Sequence, residues 1–185
     1  MNSPAHPSKI PLSGSLLLSS PSIKDGVFDD SVILLHNHGK TGAEGLILNK
    51  PLGKTVGDFM CSNQFEALKH LPLYSGGPVA EDQLSFASFY WSKTGEFGCR
   101  PAISADEAIA SLSKSGSMIR AYLGSSSWTK GQLEDEIENF CWFTTPAFPD
   151  VLGLPQDQTL WKNIMQRLSP FHHIISLTPK NPSLN

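Results

Sequence analysis

Residues 38–51 read His38-Gly39-Lys40-Thr41-Gly42-Ala43-Glu44-Gly45-Leu46-Ile47-Leu48-Asn49-Lys50-Pro51. This stretch begins as a polar, glycine-rich loop, continues into an apolar strand and stops at a proline. A second apolar run at residues 31–37 comes before the loop, so the loop separates two predicted strands. Because the loop is short and glycine-rich, the sequence predicts an antiparallel β-hairpin here.

The rest of the chain mixes strand and helix patterns. Further strands are predicted at residues 15–19, 71–74, 84–90 and 118–123, with residues 96–100 as a partner for 84–90. Helices are predicted after four capping positions: Thr55, Ser104, Thr129 or Ser127, and Asp157. The strands neither alternate strictly with the helices nor stand apart from them. This order favours an α+β fold with a largely antiparallel sheet and flanking helices.

Chain length bounds the domain organisation. At 185 residues the chain is long enough for one good hydrophobic core and short for two. No internal repeat and no linker-like change of composition divides it. We therefore predict a flexible N-terminal arm at residues 1–13, a single domain at 14–178 and a disordered tail at 179–185.

Composition excludes several classes of protein. The 14 Lys+Arg against 17 Asp+Glu give a net charge of −3, which argues against direct nucleic-acid binding. Cys61, Cys99 and Cys141 are widely spaced and form no CxxC motif, which predicts free thiols and a cytoplasmic protein. No apolar run approaches the roughly 20 residues of a membrane-spanning helix, so no membrane association is expected.

Several short motifs follow one another in a specific order. They are residues 25–28 and 31–34, the loop from His38 to Gly45, Asn49-Lys50-Pro51, Gly76-Gly77-Pro78, Leu123-Gly124 with Trp128, and Gly131-Gln132-Leu133-Glu134. Each motif is weak by itself, whereas the ordered set is specific. The set resembles the YqgE/AlgH family of bacterial proteins, over nearly the whole chain between about Gly14 and Trp142.

This resemblance implies a small cytosolic α+β protein whose compact, partly barrel-like sheet carries flanking helices. One branch of the family has the label of a transcriptional regulator, connected with exopolysaccharide control, without an agreed DNA-binding mechanism. This chain departs from the family pattern at two places. Ser125-Ser126-Ser127 replaces a frequent Tyr-Ala-Gly or Tyr-Ser-Gly run, and His36 stands where many members have a cysteine. Thiol chemistry proposed for that cysteine therefore does not transfer to this chain.

The run Gly39-Lys40-Thr41 invites a nucleotide-binding interpretation, because a P-loop ends in Gly-Lys-Thr. A P-loop requires another glycine five positions before Gly39, where this chain has Leu34, and a helix must follow it. Here a strand is predicted to follow. The glycines are better explained by positive φ in a hairpin, and weaker anion binding by backbone amides stays open.

Two histidines have the spacing of metal ligands. His36 and His38 alternate along a strand end, and Asp29 and Asp30 lie within sequence reach. A third ligand is not evident, and loop histidines more often bond backbone or water. We predict no metal site and no cofactor.

Residues 124–128 follow one predicted strand and precede a helix, which is the context of a serine nucleophile. Ser126 has the right offset from the glycine. An acid and a base follow in hydrolase order: Asp150 or Asp157, then His172. Trp128 replaces the second glycine, however, so serines that satisfy a helix N-terminus are the simpler interpretation.

The sequence therefore favours a non-enzymatic cytosolic module that binds an unknown partner protein or small ligand. Its surface is predicted to be formed by His38, Gly42, Gly45, Asn49, Gly76, Gly77, Trp128 and Gln132, which we call the glycine-loop surface. Two alternatives stay open: a small hydrolase that uses Ser126 with a histidine, and a transcriptional regulator acting directly on nucleic acid.

Overall fold

The computed structural model describes residues 12–23, 26–60, 62–92, 97–148 and 150–177. The predictions for the tail at 179–185, for Cys61 and for most of the arm at 1–13 lie outside these residues. The strands are β1 Ser15–Ser19, β2 Val32–Gly39, β3 Gly42–Ile47, β4 Pro51–Thr55, β5 Pro72–Ser75, β6 Val79–Trp91, β7 Phe97–Ile103, β8 Ser117–Thr129 and β9 Trp142–Pro146. The helices are α1 Val56–Phe59, α2 Ala105–Leu112, α3 Gln132–Glu138, α4 Thr159–Leu168 and α5 Pro170–Leu177, with 3-10 turns at Asn63–Leu68 and Val151–Gly153.

The nine strands form one open sheet in a single compact domain. Its main path runs β4-β5-β8-β3-β2-β1-β9, while β6 pairs with β8 and with β7. Among the residues that the structure describes, all strand pairs are antiparallel except β5 with β8. Strand β8 is the centre of the sheet, because it contacts β3, β5 and β6 along its length. The predicted α+β class with a largely antiparallel sheet is confirmed.

Strands β2 and β3 form the predicted hairpin, but its loop is much shorter than expected. Pairing continues to Gly39 opposite Gly42, so only Lys40 and Thr41 make the turn. Gly42 has φ +137°, and a Cβ added there would lie 2.1 Å from the Trp128 carbonyl oxygen of β8. Most of the polar stretch that begins at His38 is therefore strand. Because Gly42 has no side chain, strand β8 can approach it closely.

Strand β8 extends beyond the predicted residues 118–123 and ends at Thr129. Residues 124–128 therefore lie inside a strand, and the predicted strand-to-helix turn at this place is wrong. Capping by Thr129 or Ser127 is wrong as well, since α3 begins after Gly131, whose φ is +82°. The side-chain oxygen of Gln132 instead accepts hydrogen bonds from the Thr129 amide and hydroxyl, at 3.0 and 3.1 Å.

Three other predicted helix starts are confirmed. Thr55 precedes α1 and its amide donates to the Asp58 carboxylate at 2.8 Å. Ser104 and Glu107 form a reciprocal capping box at the start of α2. Asp157 accepts a hydrogen bond from the Thr159 amide, 2.8 Å away, as α4 begins. In the described part of the chain, every helix is too short or too polar to cross a membrane.

The core lies on both faces of the sheet. Leu16 and Leu18 of β1 pack on one face with Trp161 of α4. Leu17 points to the other face and packs with Leu133 of α3. A third cluster lies between β5, β6, β8 and helix α2. Helices thus cover both sides of the central strands, and this burial is the main favourable term for the fold.

Candidate functional site

Strand β2 contains a bulge at His36. Leu35 pairs with Gly45 and Asn37 pairs with the next residue, Glu44, so His36 has no opposite partner. A bulge of this kind re-aims a side chain and often lies near a functional site. The β2–β3 hairpin is therefore irregular at His36, which lies between the regular pairs Leu35–Gly45 and Asn37–Glu44.

Strand β6 has two further breaks in register. Against β8, residues 80–83 stand opposite the single residue Gly124. Against β7, the single residue Ala87 stands opposite Pro101 and Ala102. Each break interrupts an otherwise continuous antiparallel ladder.

All three irregular segments meet at one cavity of about 270 Å³. We call it the bulge pocket; it is lined by His36, Glu44, Leu46, Val79, Ala80, Gln83, Ser85, Pro101, Ala102, Gly124 and Ser125. These residues come from strands β2, β3, β6, β7 and β8. The pocket therefore forms where the register of three strand pairs is broken: β2 with β3, β6 with β7, and β6 with β8.

The backbone around the pocket is strained. Ala80 has φ +55° and Ala102 has φ +51°, in the left-handed region that residues with a Cβ rarely adopt. In the ranges that the structure describes, only Asp30 and Phe140 share this property among non-glycine residues. Two of these four strained residues line the same pocket. Strain of this kind persists only where the surrounding structure enforces it.

Two backbone segments cross closely at Gly124, one of the residues that line the pocket. A Cβ on Gly76 would lie 2.2 Å from the Gly124 carbonyl oxygen, and a Cβ on Gly124 would lie 2.3 Å from that of Gly77. A Cβ on Gly77 would meet the Ser126 hydroxyl at 2.3 Å. Glycine is required at all three positions because the segments touch through their backbones. Gly45 is equally enclosed, since its Cβ would lie 2.7 Å from Ile33.

His36 and Glu44 supply the titratable groups of the bulge pocket. Burial lowers the pKa of His36 from its ordinary value of 6.5, and the nearby Glu44 carboxylate opposes this effect less strongly. The exposed Glu44 carboxylate accepts a hydrogen bond from the Asn37 side chain at 3.2 Å. At neutral pH the pocket therefore presents a neutral imidazole and one carboxylate.

A larger pocket, of about 520 Å³, lies between the Asn49-Lys50-Pro51 segment and the start of α4. The Asn49 side chain accepts from the Val32 amide and donates to the Asp30 carbonyl, both at 2.8 Å. Lys50 donates to the Asp29 carbonyl at 2.5 Å. Hydrogen bonds from the side chain and the backbone amide of Thr159 hold the pKa of Asp157 below its usual range. Asn49, Lys50 and Asp157 of this larger pocket are thus already engaged by other groups of the protein.

A network of aromatic and polar side chains fixes α3 to the sheet. The indole nitrogens of Trp128 and Trp142 both donate to the same Glu136 oxygen, at 2.9 and 2.7 Å. Gln132 donates to the other Glu136 oxygen at 3.0 Å. We call Trp128, Gln132, Glu136 and Trp142 the Trp–Glu cluster. Its hydrogen bonds explain why these residue types occur here without invoking a ligand.

His38 belongs to the same side of the molecule. Its Nδ1 accepts a hydrogen bond from the Leu12 amide at 3.0 Å, and its Nε2 lies 3.5 Å from the Glu134 carboxylate. His36, in contrast, faces the bulge pocket. The described residues contain no group of three or more His, Cys, Asp or Glu side chains that could hold a metal ion.

The glycine-loop surface separates into three places in the structure. His38, Gly42, Trp128 and Gln132 lie around α3; Gly45, Gly76 and Gly77 lie against residues 124–126 of β8; and Asn49 lines the larger pocket. The structure thus brings these residues together in groups rather than on one continuous patch.

Ser126 lies in the middle of β8 and is fully buried. Its hydroxyl donates to the Gly76 carbonyl oxygen at 3.1 Å. The strained turn that would expose a nucleophilic serine is absent here, because β8 continues for three more residues. His172 bonds instead with the Ser169 hydroxyl, 2.7 Å away.

Sequence patterns did not reveal most residues of the bulge pocket. Ala80, Gln83, Ser85 and Ala102 carry no motif and become neighbours only through pairing of β6 with β7 and β8. His36, Gly124 and Ser125 belong to motifs or departures of the sequence, but no pattern in the sequence indicated that they lie together.

The chain is similar in sequence to known bacterial proteins. The AlgH-like family model matches residues 16–172. A UPF0301 protein of Chlamydia felis is 35% identical over 178 residues, covering 93% of this chain and 94% of the relative. A UPF0301 protein of Bacteroides thetaiotaomicron is 30% identical over 183 residues, covering 95% and 92%.

Two solved structures have the same fold. The crystal structure of a Corynebacterium diphtheriae protein superposes with a TM-score of 0.70 at 22% identity, covering 94% of this chain and 96% of that one. The solution structure of the AlgH protein from Pseudomonas aeruginosa superposes with a TM-score of 0.68, also at 22% identity, covering 94% and 97%. With the match of sequence over residues 16–172, this chain belongs to the AlgH-like family of bacterial proteins.

Proposed function

We propose that this protein is a non-enzymatic binding module and that the bulge pocket holds a small polar ligand. The observation that carries the proposal is the convergence of three register breaks on one cavity. A regular ladder at these places would form more hydrogen bonds and leave no cavity. Irregularities that lower stability and meet at one point are best explained by a shared role in binding.

The chemistry of the lining supports binding rather than catalysis. His36 and Ser125 both line the pocket, but no hydrogen bond joins them in the described structure. A serine nucleophile depends on such a contact with its base. Ser126, the nucleophile of the hydrolase alternative, donates instead to a backbone carbonyl in the core.

Within this proposal the glycine-loop surface has a narrower role. Gly45, Gly76 and Gly77 shape the pocket without contacting the ligand. A partner-binding surface around His38, Trp128 and Gln132 stays a prediction, as does the cytoplasmic location. Direct regulation through nucleic acid is not part of the proposal, because acidic residues outnumber basic ones by 17 to 14.

Amide chemical shifts measured by NMR test the proposal directly. The protein is titrated with single compounds from five classes: amines, alcohols, carboxylates, sugars and nucleotides. We expect at least one class to shift the amides of Ala80, Gln83, Ala102 and Ser125 together. Ser125→Leu, which fills the pocket, should weaken that compound's binding at least tenfold, and the compound should be recovered chemically unchanged.

Ser115→Leu is the matched control, since it adds the same side chain in the exposed turn before β8. Gln83→Trp is a second filling variant in case Ser125→Leu does not fold. Binding that maps elsewhere, or that survives both filling variants, would refute the proposed site. Chemical turnover of the bound compound would refute the non-enzymatic role.

A further inference from the structure

The polar side chains that line the bulge pocket supply several hydrogen-bond acceptors, and only Glu44 among them cannot donate. Glu44 contributes a carboxylate, Gln83 an amide oxygen, and Ser85 and Ser125 hydroxyl oxygens. Glu44 is the only formally charged side chain among the described residues that line it. A ligand that donates hydrogen bonds and carries positive charge would complement this set.

Nearby charges keep the same sign. Glu81 and Asp82 belong to the bulged segment of β6 and are exposed beside the lining residues. Arg100 is next to Pro101 in sequence, but its guanidinium is engaged by Glu107 at 2.9 Å. The field at the pocket mouth therefore attracts cations and repels anions, most strongly at low ionic strength.

His36 adds no positive charge to the pocket at neutral pH. Burial lowers its pKa, so the imidazole is neutral there and can accept or donate a hydrogen bond. A protonated imidazole would instead add a positive charge inside the pocket.

Size limits the ligand further. The cavity of about 270 Å³ corresponds to roughly nine water molecules at about 30 Å³ each. It is thus smaller than the roughly 300–1,000 Å³ pockets that hold drug-sized molecules. A short aliphatic chain with a polar end fits this volume.

We propose that the ligand of the bulge pocket is a small organic cation, with a primary ammonium group directed to Glu44. This inference rests on the proposed function, because it assigns a ligand class to that same site. The ammonium group donates to the Glu44 carboxylate and to the neighbouring amide and hydroxyl oxygens. The aliphatic part contacts Leu46 and Val79, which supply the apolar wall.

Three four-carbon probes separate charge from size. Putrescine is a dication, 1,4-butanediol is neutral, and succinate is a dianion, while their chains have the same length. Each is titrated into the protein at low salt and pH 7.5 with amide shifts as the readout. We expect putrescine to shift the pocket amides at concentrations at least tenfold below those needed for butanediol, and succinate to have no effect.

Glu44→Gln removes the charge and keeps the shape, so it should weaken putrescine binding at least fivefold. Glu138→Gln removes the same charge at an exposed position of α3 and should leave that binding unchanged. Equal weakening by both variants would show general attraction to an acidic surface and overturn the inference.

The failures of the two proposals are distinguishable. If butanediol or succinate shifts the pocket amides as well as putrescine does, the site stands and the cation class is wrong. If putrescine leaves the pocket amides unchanged, the cation class is also wrong. The site itself is then tested separately: whichever compound binds should bind more weakly to Ser125→Leu and to Gln83→Trp.

Discussion

The Trp–Glu cluster and the bulge pocket both include residues of strand β8, Trp128 in the cluster and Ser125 in the pocket, and they differ in how their polar groups are satisfied. In the cluster, one Glu136 carboxylate accepts hydrogen bonds from Trp128, Trp142 and Gln132. At the pocket, breaks in strand register leave His36 and Glu44 beside an open cavity.

Under the proposed function, this difference contrasts polar residues that stabilise the fold with polar residues that are available to a ligand. A polar group that is bonded inside the fold stabilises that fold and needs no ligand. At the pocket, the exposed Glu44 carboxylate accepts one hydrogen bond from the Asn37 side chain and lies beside open space. Conspicuous sequence motifs marked the first kind of region, whereas Ala80, Gln83, Ser85 and Ala102 of the pocket belong to no motif.

The largest expected effect is a break of the Trp–Glu cluster by Glu136→Ala. Two largely buried indole N–H groups lose their acceptor, and each unsatisfied donor costs about 1–3 kcal/mol. We expect the free energy of unfolding to fall by about 2–4 kcal/mol in urea denaturation. Glu138→Ala on the exposed side of α3 is the control and should change it by less than about 0.5 kcal/mol. Equal effects of the two substitutions would contradict the assignment of Glu136 as a structural acceptor.

Replacing a strained residue of the pocket with glycine should instead raise the free energy of unfolding. Ala102→Gly relieves left-handed strain worth about 1–2 kcal/mol and adds about 0.5–1 kcal/mol of unfolded-state entropy. We expect a net stabilisation of about 0.5 kcal/mol, together with weaker ligand binding in the loosened pocket. Ala110→Gly, in helix α2, should instead destabilise the protein by about 1 kcal/mol. A loss of stability in both variants would show that Ala102 is not strained.

The smallest expected effect is a shift in the pKa of His36, which NMR titration of its ring protons measures. Burial lowers the pKa of His36 and Glu44 raises it, so we expect a midpoint below 6.5 that falls further in Glu44→Gln. A midpoint that rises in Glu44→Gln would contradict the position of the carboxylate beside the ring.

The same shift predicts the sign of a stability change with pH. The unfolded chain binds a proton at His36 more readily than the folded chain does, so stability falls as pH drops from 6.5 through the folded pKa. Well above pH 6.5 both states are neutral at this residue and the contribution vanishes. The change is small because the ring is only partly buried, and His36→Gln should abolish it.

Local patterns predicted most of the fold. The β2–β3 hairpin, strand β1 and the capping box at Ser104 follow from apolar periodicity and from residues with a clear local role. Strand β4 escaped prediction because it contains Pro51 and Gly53 and is almost entirely exposed, so no hydrophobic pattern marks it. Its strand conformation comes from pairing with β5.

The error at residues 124–128 has a similar cause. Glycine and serines after an apolar run predict a turn, because these residues favour turns in isolation. In the folded protein β3 and β6 pair with this segment on either side, and Gly124 is needed for contact with Gly77. Tertiary pairing thus overrode the local preference.

The sequence by itself determined the α+β class and the hairpin, because these follow from the periodicity of apolar residues in each segment. It also determined the family, because the motifs that identify it occur in a fixed order along the chain. Only the tertiary structure brought together the residues of the proposed binding pocket. The register breaks at His36, at residues 80–83 and at Pro101 are properties of strand pairs, and residues far apart in the chain become one cavity only when those pairs form.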